Sequence, residues 1–305
     1  MGMLIDGKWD DNTTDTRGKT GSFDRTASTF RHKITADGAS GLKAEAGRYH
    51  VFLAFGCPWC HRVMLFLKLK KLEGVISTSY TNHAPGVGGW RFDAPDPLFG
   101  AKFAYDVYLK DNPKFTGRCT VPILWDKKTN KIVNNESSEI IRMLNREFAA
   151  VTDDRHDYYP ADLAAAIDAV NERVYHNINN GAYRCGFAQA QGPYEDAVRG
   201  MFETFDWLEA TLSKQKYLLG DRQTEADWRL FPTLVRFDCA YYPLFKCNIR
   251  HVYEMPSVWR YTKALYAVPG IAETVDVQKY KENYYAIRAV NPSGVVPLGP
   301  TIAFA

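Results

Sequence analysis

The stretch FGCPWCHR, residues 55–62, places two cysteines three positions apart around a proline and a tryptophan. Such a Cys-x-x-Cys pair can be a metal clip, a structural disulfide, or a redox or nucleophilic centre. Pro58 suits the first position of a helix, so Cys57 lies just before that helix. Unpaired backbone N–H groups and the positive end of the helix dipole favour a thiolate there. The stretch therefore predicts a nucleophile at Cys57, with Cys60, one turn further on, as a candidate resolving thiol.

A zinc site at this pair would need two more ligands at a suitable spacing. The seven histidines show no paired spacing, and no second Cys-x-x-Cys is formed by the other cysteines, which are Cys119, Cys185, Cys239 and Cys247. We therefore expect no metal, and we expect these four cysteines to be buried in packing. Two buried thiols at the start of a helix are the non-catalytic interpretation of the pair.

The segments next to the pair predict a strand, a helix and a second strand. The apolar run YHVFLAF, residues 49–55, is typical of a buried strand. After the pair, Val63, Met64 and Leu67 follow a helical stripe, and Gly74 is expected to stop the helix. VISTSY, residues 75–80, predicts the second strand, and a long loop rich in glycine and proline comes next.

A hairpin and a further helix follow that loop. TVPILWD, residues 120–126, and KKTNKIV, residues 127–133, predict two strands joined by a turn. NNESSEIIRMLNREF, residues 134–148, predicts a helix capped by Ser137 or Ser138. Its buried face should consist of Ile140, Ile141, Leu144 and Phe148. This order predicts an α/β thioredoxin-like domain over residues 46–150.

The rest of the chain divides into an arm, a helical domain and a tail. Residues 1–45 are polar without a clear period, and we expect an N-terminal extension that is an extended arm or partly disordered. Helical spacing predicts an all-α domain over residues 160–285, in which Thr224 and Asp227 stand at the spacing of a capping box. Residues 286–305 form a C-terminal extension.

Composition and charge exclude several classes of protein. A net charge of +3 over 305 residues is too small to indicate nucleic-acid binding. The first residues lack the pattern of a signal peptide, and no apolar run approaches the ~20 residues of a membrane span. We therefore expect a cytoplasmic protein that binds neither nucleic acid nor a membrane. Its cysteines should be mostly reduced, which favours chemistry over a structural disulfide at the pair.

Six motifs, in this order along the chain, resemble one family. They are CPWCHR, GWRFDAPDPLFGAKF, TGRCTVPILWDKKTNKIVNNESSEIIRMLN, NNGAYRCGFA, GDRQTEADWRLFPTLVRFD and NPSGVVPLGP. Together they are similar to the Xi-class glutathione transferases, also called S-glutathionyl-hydroquinone reductases, from about residue 21 to residue 300. The resemblance implies a glutathione transferase fold, in which an all-α domain with the hydrophobic substrate site follows the thioredoxin-like domain. It also implies a homodimer.

The resemblance also implies a glutathione site in the first domain. Cys57 matches the cysteine that forms a mixed disulfide with glutathione, and the glutathione contacts match Trp90, Arg118, the backbone of Val121, Glu136 and Ser137. Val121 precedes Pro122, so we expect a cis bond there. Ser137 and the nearby N–H groups suit a carboxylate of glutathione. Arg118 suits another carboxylate, and Glu136 suits the amine.

In the helical domain the resemblance implies that Tyr183 and Tyr284 are catalytic and face the quinone ring, with Tyr285 and Arg288 close by in sequence. The implied activity is glutathione-dependent reduction of S-glutathionyl-hydroquinones through a Cys57–glutathione disulfide. Family members often carry Ala where this chain has Cys60. One alternative is therefore a glutaredoxin-like thiol transferase that uses Cys57 and Cys60. Another is a non-catalytic protein that binds glutathione or an aromatic ligand.

Overall fold

The computed structural model describes residues 2–12, 20–25, 27–83 and 88–304. These residues form two compact units, each with its own packing. The first unit contains the described residues up to 12 and those from 27 to 156. The second contains residues 20–25 and 157–304. Parts of the predicted N-terminal arm, residues 13–19 and 26, lie outside the described residues.

A five-stranded sheet forms the centre of the first unit, in the order β5-β4-β3-β6-β7. Only β3 and β4 run parallel; the other neighbouring pairs are antiparallel. A separate antiparallel hairpin of β1 and β2 lies near the N-terminus. The strands are β1 Met3–Ile5, β2 Lys8–Asp10, β3 Tyr49–Leu53, β4 Ser77–His83, β5 Trp90–Phe92, β6 Ile123–Asp126 and β7 Lys131–Asn134.

Three helices accompany this sheet: α1 Pro58–Leu69, α2 Ala104–Asp111 and α3 Ser137–Arg146. Helix α1 joins the parallel strands β3 and β4, and it packs against α3. Every residue of β3 is buried, which is why its sequence is a continuous apolar and aromatic run rather than an alternating one. The predicted thioredoxin-like layout is confirmed by this sheet and by the two helices α1 and α3.

Several element bounds differ from the predicted ones. Helix α1 ends at Leu69, before Gly74, because the chain turns at Lys71, whose φ is +52°. The predicted loop after β4 contains β5 and α2, whose apolar residues are too few and too irregular to show a period. Glu136, rather than Ser137 or Ser138, is the N-cap of α3. A glutamate is not among the usual capping residues, so its role could not be inferred from type.

The arm residues 28–36 run along β7 and α3 as an additional edge segment. Arg31 pairs with Asn134 in an antiparallel bridge, and the His32 N–H donates to the Val133 carbonyl. The Arg31 side chain forms an ion pair with Glu139 of α3. This segment lacks an alternating pattern because its pairing depends on backbone groups and individual side chains. It therefore fastens the start of α3 to the arm.

The second unit is built from helices. They are α4 Ala164–Val174, α5 Gly181–Gly186, α6 Gln191–Leu212, α7 Glu225–Arg236, α8 Tyr242–Leu244, α9 Pro256–Tyr266 and α10 Val277–Tyr285. Wide π-type turns at Tyr175–Asn179 and Phe237–Tyr241 connect α4 to α5 and α7 to α8. Short 3₁₀ turns occur at Ala149–Val151 in the first unit and at Val252–Glu254 and Ala272–Thr274 in the second. No helix in the described residues is both long and apolar enough to cross a membrane.

The capping box predicted before α7 is confirmed. The Thr224 N–H donates to Asp227 Oδ2 at 2.7 Å, and Asp227 Oδ1 accepts from the Leu218 N–H and the Tyr261 hydroxyl. Asp227 is fully buried, and burial raises the pKa of its carboxyl despite these donors. The cap thus joins the start of α7 to the loop before it and to α9.

Candidate functional site

Cys57 is the N-cap of α1, in the turn directly after β3. Its Sγ accepts the backbone N–H of Cys60 at 3.4 Å, and the Val121 carbonyl lies 3.6 Å from the same sulfur. The thiol form can donate to that carbonyl, whereas the thiolate is stabilised by the N–H and by the helix dipole. Cys57 is 5% exposed and Cys60 is 0% exposed, so only Cys57 retains accessible surface.

The bond between Val121 and Pro122 is cis, as predicted. Val121 lies just before β6 and is buried, and its carbonyl faces the sulfur of Cys57. The backbone of Val121 and the nucleophile are therefore brought together, although they are 64 positions apart in the sequence. An extended peptide that paired with this backbone would pass beside the sulfur.

Glu136 and Ser137 lie at the start of α3, and both are sheltered from solvent. Glu136 Oε1 accepts from the N–H and the hydroxyl of Ser138, and Oε2 accepts from the Ser28 hydroxyl at 2.9 Å. Burial raises the pKa of this carboxyl, but the Ser138 and Ser28 hydrogen bonds and the charge of Arg62 outweigh burial and hold the pKa below its usual value. Glu136 is therefore a preformed anion beside the first turn of α3.

Arg62 and Ser28 complete the surroundings of Glu136, and no motif in the sequence indicated a role for either of them. Arg62 is 2% exposed, and its guanidinium lies 4.6 Å from the centre of the Trp59 ring. It places a positive charge on α1 that acts on Glu136 of α3. The i, i+3 spacing of Trp59 and Arg62 was a readable signal for their contact. Ser28 gave no such signal, since it lies 108 positions from Glu136.

The other two predicted glutathione contacts lie elsewhere in the first unit. Trp90 begins the edge strand β5, and Arg118 lies in the segment between α2 and β6. Both side chains are half-buried.

In the second unit the two predicted tyrosines are in contact. The hydroxyl of Tyr183 on α5 lies 2.8 Å from that of Tyr284 on α10. The Tyr284 hydroxyl also lies 2.6 Å from that of Tyr241, in the π-type turn after α7. We call Tyr183, Tyr284 and Tyr241 the tyrosine triad. Burial raises the pKa of Tyr284 and of Tyr241 well above the usual value, so both phenols are protonated donors at neutral pH.

A fully buried arginine lies beside the tyrosine triad. Arg236, the last residue of α7, stacks its guanidinium 3.7 Å from the centre of the Tyr280 ring and donates to the Pro232 carbonyl. Its burial lowers its pKa, but the surrounding phenols, those of the triad among them, outweigh burial and raise it. In return, the positive charge of Arg236 lowers the pKa of Tyr241 and of Tyr284 against the larger effect of burial.

Aromatic rings enclose the triad. Phe187 and Phe245 pack against Tyr183, and Phe23, from the N-terminal segment 20–25, packs against Tyr183 and Phe187. Gly186 permits this packing, because a Cβ there would lie only 2.3 Å from the Phe245 ring. The rings that pack against Tyr183 are therefore apolar, and Arg236 supplies a charge that acts on the triad.

Tyr285 and Arg288 are placed differently from the triad. Tyr285 is buried, and burial raises the pKa of its phenol. Arg288 is exposed and donates to the Pro292 carbonyl at 2.7 Å. Within the described residues, no hydrogen bond joins either side chain to the triad. The described residues also contain no group of three or more His, Cys, Asp and Glu side chains arranged to hold a metal ion.

Comparisons with known proteins agree on one family. Residues 56–147 match the family model of the glutathione S-transferase N-terminal domain, and residues 189–264 match that of the C-terminal domain. The chain is 47% identical to the glutathionyl-hydroquinone reductase PcpF of Sphingobium chlorophenolicum, over 98% of this chain and 96% of that protein.

Two solved structures have the same fold along nearly their whole length. The glutathione-bound structure of YqjG, a glutathione transferase homologue from Escherichia coli K-12, gives a TM-score of 0.91 at 40% identity, covering 99% of this chain and 97% of that one. The glutathione S-transferase Xi of Phanerochaete chrysosporium gives 0.89 at 43% identity, covering 93% and 94%.

Proposed function

The chain belongs to the Xi class of glutathione transferases, the glutathionyl-hydroquinone reductases, and from this premise we propose how its residues carry out the reaction. The protein is a glutathione-dependent reductase that converts S-glutathionyl-hydroquinones to hydroquinones. The observation that carries the proposed site is the position of Cys57. Its sulfur accepts the Cys60 N–H at the start of α1 and lies beside the Val121 carbonyl.

We assign glutathione to the first unit. The backbone of Val121 would pair with the tripeptide, and Ser137 with the first N–H groups of α3 would receive a carboxylate. Glu136 is held as an anion and would receive the amine. Three hydrogen bonds already reach Glu136, which leaves acceptor capacity for a further donor. Trp90 and Arg118 are assigned as further contacts on the resemblance.

The chemistry begins with the thiolate of Cys57. A plain aryl thioether resists cleavage, but in the keto form of the hydroquinone the carbon–sulfur bond lies beside a carbonyl. Cys57 attacks the glutathionyl sulfur, a disulfide forms between the two sulfurs, and the electron pair of the broken bond becomes an enolate on the ring. The enolate takes a proton and regains aromaticity. A second glutathione thiolate then frees Cys57 and leaves as glutathione disulfide.

We assign the ring oxygens of the hydroquinone to Tyr183 and Tyr284. Their hydroxyls are 2.8 Å apart, and burial keeps Tyr284 protonated and thus able to donate. Hydrogen bonds from these phenols would stabilise the enolate as its charge develops. Tyr285 and Arg288 remain proposed contacts by their position in the sequence near Tyr284.

The test is turnover of glutathionyl-benzohydroquinone with excess glutathione by the wild type, Cys57→Ala and Cys60→Ala. We expect Cys57→Ala to abolish activity, because the disulfide cannot form. Cys60→Ala should keep most of it, because the Cys60 side chain is fully buried and contributes its backbone N–H.

An equal loss of activity in both variants would indicate a cycle that uses both thiols instead of Cys57 alone. An internal Cys57–Cys60 disulfide, with activity only on small disulfides, would indicate the thiol transferase. A Cys57 that never forms an adduct, although glutathione binds, would indicate a binding protein.

We further propose that the protein works in the cytoplasm, as a homodimer, in removing quinone adducts. The cytoplasmic assignment rests on the sequence, in which a paired Cys-x-x-Cys favours chemistry over a structural disulfide. The dimer rests on the family resemblance. Light scattering of the eluted protein should give twice the mass of one chain, and the mass of a single chain would contradict this assignment.

A further inference from the structure

Trp90 and Arg118 have one feature of sequence in common, a glycine directly before each of them. The φ angle of Gly89 is +79° and that of Gly117 is +152°, both in the region that favours glycine. Glycine adopts such angles about as readily as negative ones, so the residue type permits these two conformations without fixing them. Neighbouring groups must therefore hold the two glycines if the side chains that follow are to keep one position.

A short hairpin near the N-terminus supplies neighbours to both glycines. We call residues 3–11, which comprise β1, β2 and the next residue, the N-terminal hairpin. Its turn, Asp6 and Gly7, has positive φ at both positions, as in the Asp-Gly turn of a tight two-residue hairpin. Strand β1 and the turn contact the segment before Arg118, and the rest of the hairpin contacts the residues before Trp90.

Strand β1 holds the glycine before Arg118 by backbone pairing. The Leu4 N–H donates to the Gly117 carbonyl, and the Gly117 N–H donates to the Leu4 carbonyl, both at 2.9 Å. In the turn, the Asp6 N–H donates to the Thr116 hydroxyl at 2.9 Å. Leu4 is 0% exposed, so the paired groups are shielded from water. The hairpin therefore fixes the backbone on the N-terminal side of Arg118.

Strand β2 and the residue after it hold the two glycines before Trp90. Asp11 Oδ1 accepts the Gly88 N–H at 3.1 Å and the Nε1–H of Trp9 at 2.9 Å. The Trp9 ring approaches Gly89 so closely that a Cβ there would lie 3.2 Å from the ring. One carboxylate thus joins the first glycine to an indole that covers the second.

This indole is itself fixed by two stacked rings. Trp9 stacks on Tyr105, and Tyr105 stacks on Phe103, each with ring centres 4.9 Å apart. Phe103 forms an antiparallel bridge with Arg91, the second residue of β5. The hairpin therefore contacts β5 by two routes, through the glycines ahead of Trp90 and through this stack behind it.

We propose that the N-terminal hairpin is a positioning element of the glutathione site, which holds Trp90 and Arg118 ready for the tripeptide by fixing the glycine before each. The proposal rests on the proposed function, in which both residues are assigned to glutathione. Groups ordered before a ligand arrives lose less conformational entropy on binding, so affinity rises without a new contact to the ligand. The hairpin makes and breaks no bond in the reaction and acts through these two residues.

Asp11 tests the contact with the glycines before Trp90. Its side chain is exposed, so replacing it leaves the core packing intact. Asp11→Ala removes the acceptor of the Gly88 N–H, and we expect the dissociation constant of reduced glutathione to rise about threefold to tenfold, as for one lost hydrogen bond. Asp11→Asn keeps a side-chain oxygen as acceptor and should bind within about twofold of the wild type. Titration calorimetry measures the constants, and kcat at saturating substrates should be unchanged in both variants.

Thr116 tests the contact before Arg118 in the same way. Thr116→Val removes the acceptor of the Asp6 N–H at nearly the same shape, and Thr116→Ser keeps it. We expect the valine variant to raise the dissociation constant about threefold and the serine variant to leave it unchanged. Asp37→Ala is the matched control, because Asp37 is another exposed aspartate whose side chain accepts a backbone N–H, that of Ala39, outside the hairpin. It should bind glutathione as the wild type does.

A double-mutant cycle shows whether Asp11 acts through Trp90. We expect Trp90→Ala to weaken glutathione binding, and Asp11→Ala in that background to add less than about twofold, because the side chain that it positions is already gone. Two effects that multiply would place the action of Asp11 elsewhere and overturn the proposal. A wild-type dissociation constant in Trp90→Ala would overturn it as well.

The outcomes keep this proposal apart from the proposed function. A wild type that binds glutathione but reduces no glutathionyl-hydroquinone contradicts the proposed function. An active wild type in which Asp11→Ala or Thr116→Val binds glutathione within twofold of the wild type overturns the positioning role. An Asp11→Asn protein that binds as weakly as Asp11→Ala also overturns it, since the acceptor that it retains would then have no effect.

Discussion

At the scale of single residues, the carboxylate of Glu136 shows how a charge is kept in a sheltered place. Hydrogen bonds from Ser138 and Ser28 and the charge of Arg62 compensate for the cost of burial. Ser28 belongs to the arm, outside the segment that matches the N-terminal family model. The arm thus contributes directly to the residue that we assign to the glutathione amine.

Ser28→Ala tests this contribution. The substitution removes the donor to Glu136 Oε2, so the carboxylate is less well held and less well oriented. We expect the KM for glutathione to rise about threefold to tenfold, as for the loss of one hydrogen bond to a charged group, with kcat at saturating glutathione unchanged. Steady-state kinetics with varied glutathione measure both quantities.

Ser40→Ala is the control, because Ser40 lies on the same arm and its hydroxyl bonds only to groups near it. It should leave the KM as in the wild type. A KM for Ser28→Ala equal to that of the control would show that the Ser28 hydrogen bond does not support glutathione binding.

The single residues predicted from the sequence were those that belong to a motif. Cys57 could be inferred from local spacing alone, and the cis bond at Pro122 from the residue type and the family pattern. Tyr241 could not, because it is one of 18 tyrosines, and a lone tyrosine in a helical segment usually packs in a core. Its contact with Tyr284 joins residues 43 positions apart, which no local pattern encodes.

At the scale of elements, the parallel pair β3 and β4 contains a buried histidine. The imidazole of His50 lies between the hydroxyls of Ser77 and Ser79, at 2.8 and 3.0 Å. Burial lowers its pKa from 6.5 to about 4. Between these two values the unfolded chain binds a proton that the folded chain does not, so stability rises with pH and is lost as pH falls from 6.5 to 4.

This histidine should make the fold sensitive to acid. We expect the wild type to lose about 2 kcal/mol of unfolding free energy between pH 7.5 and pH 5 through His50. Urea unfolding at both pH values measures the loss. His50→Gln keeps a donor and an acceptor but cannot titrate, so its loss over the same interval should be smaller by about that amount. Equal losses in the two proteins would show that His50 is protonated within the folded sheet.

The elements predicted well were those whose apolar pattern is strong. Strand β3, the β6–β7 hairpin and the buried face of α3 depend on runs such as YHVFL and ILWD. Helix α2 and strand β5 were missed, because each is short and contributes few buried side chains. The N-cap of α3 was misassigned for a different reason. Glu136 caps the helix by accepting the Ser138 N–H, although glutamate has little intrinsic preference for this position.

At the scale of the whole molecule, the six thiols differ in their surroundings. Burial raises the pKa of Cys119 and Cys247 above the usual value, and that of Cys239 to about 12. Cys57 differs from these three in its hydrogen bonding, because the backbone N–H of Cys60 points at its sulfur and can stabilise a thiolate. A thiolate, and not a thiol, attacks a disulfide. One cysteine should therefore react first.

We expect excess glutathione disulfide to place one glutathionyl group on each native chain, at Cys57. The Cys57 thiolate takes one half of the disulfide and releases the other half as glutathione. Intact-mass measurement and peptide mapping check the number and the position. Unfolding in denaturant should make all six cysteines reactive. An adduct that persists in Cys57→Ala under native conditions would contradict this selectivity.

The π-type turn at Phe237–Tyr241 contains Tyr241, the enclosed member of the tyrosine triad. The Tyr242 N–H bonds to the Phe237 carbonyl, five residues back rather than four, so the helical path absorbs one surplus residue and continues from α7 into α8. Each residue of an α-helix turns by about 100°, so one added residue would re-aim every side chain after it if the wide turn did not absorb it. The turn thus takes up the surplus residue locally and places the Tyr241 phenol where the charge of Arg236 acts on it.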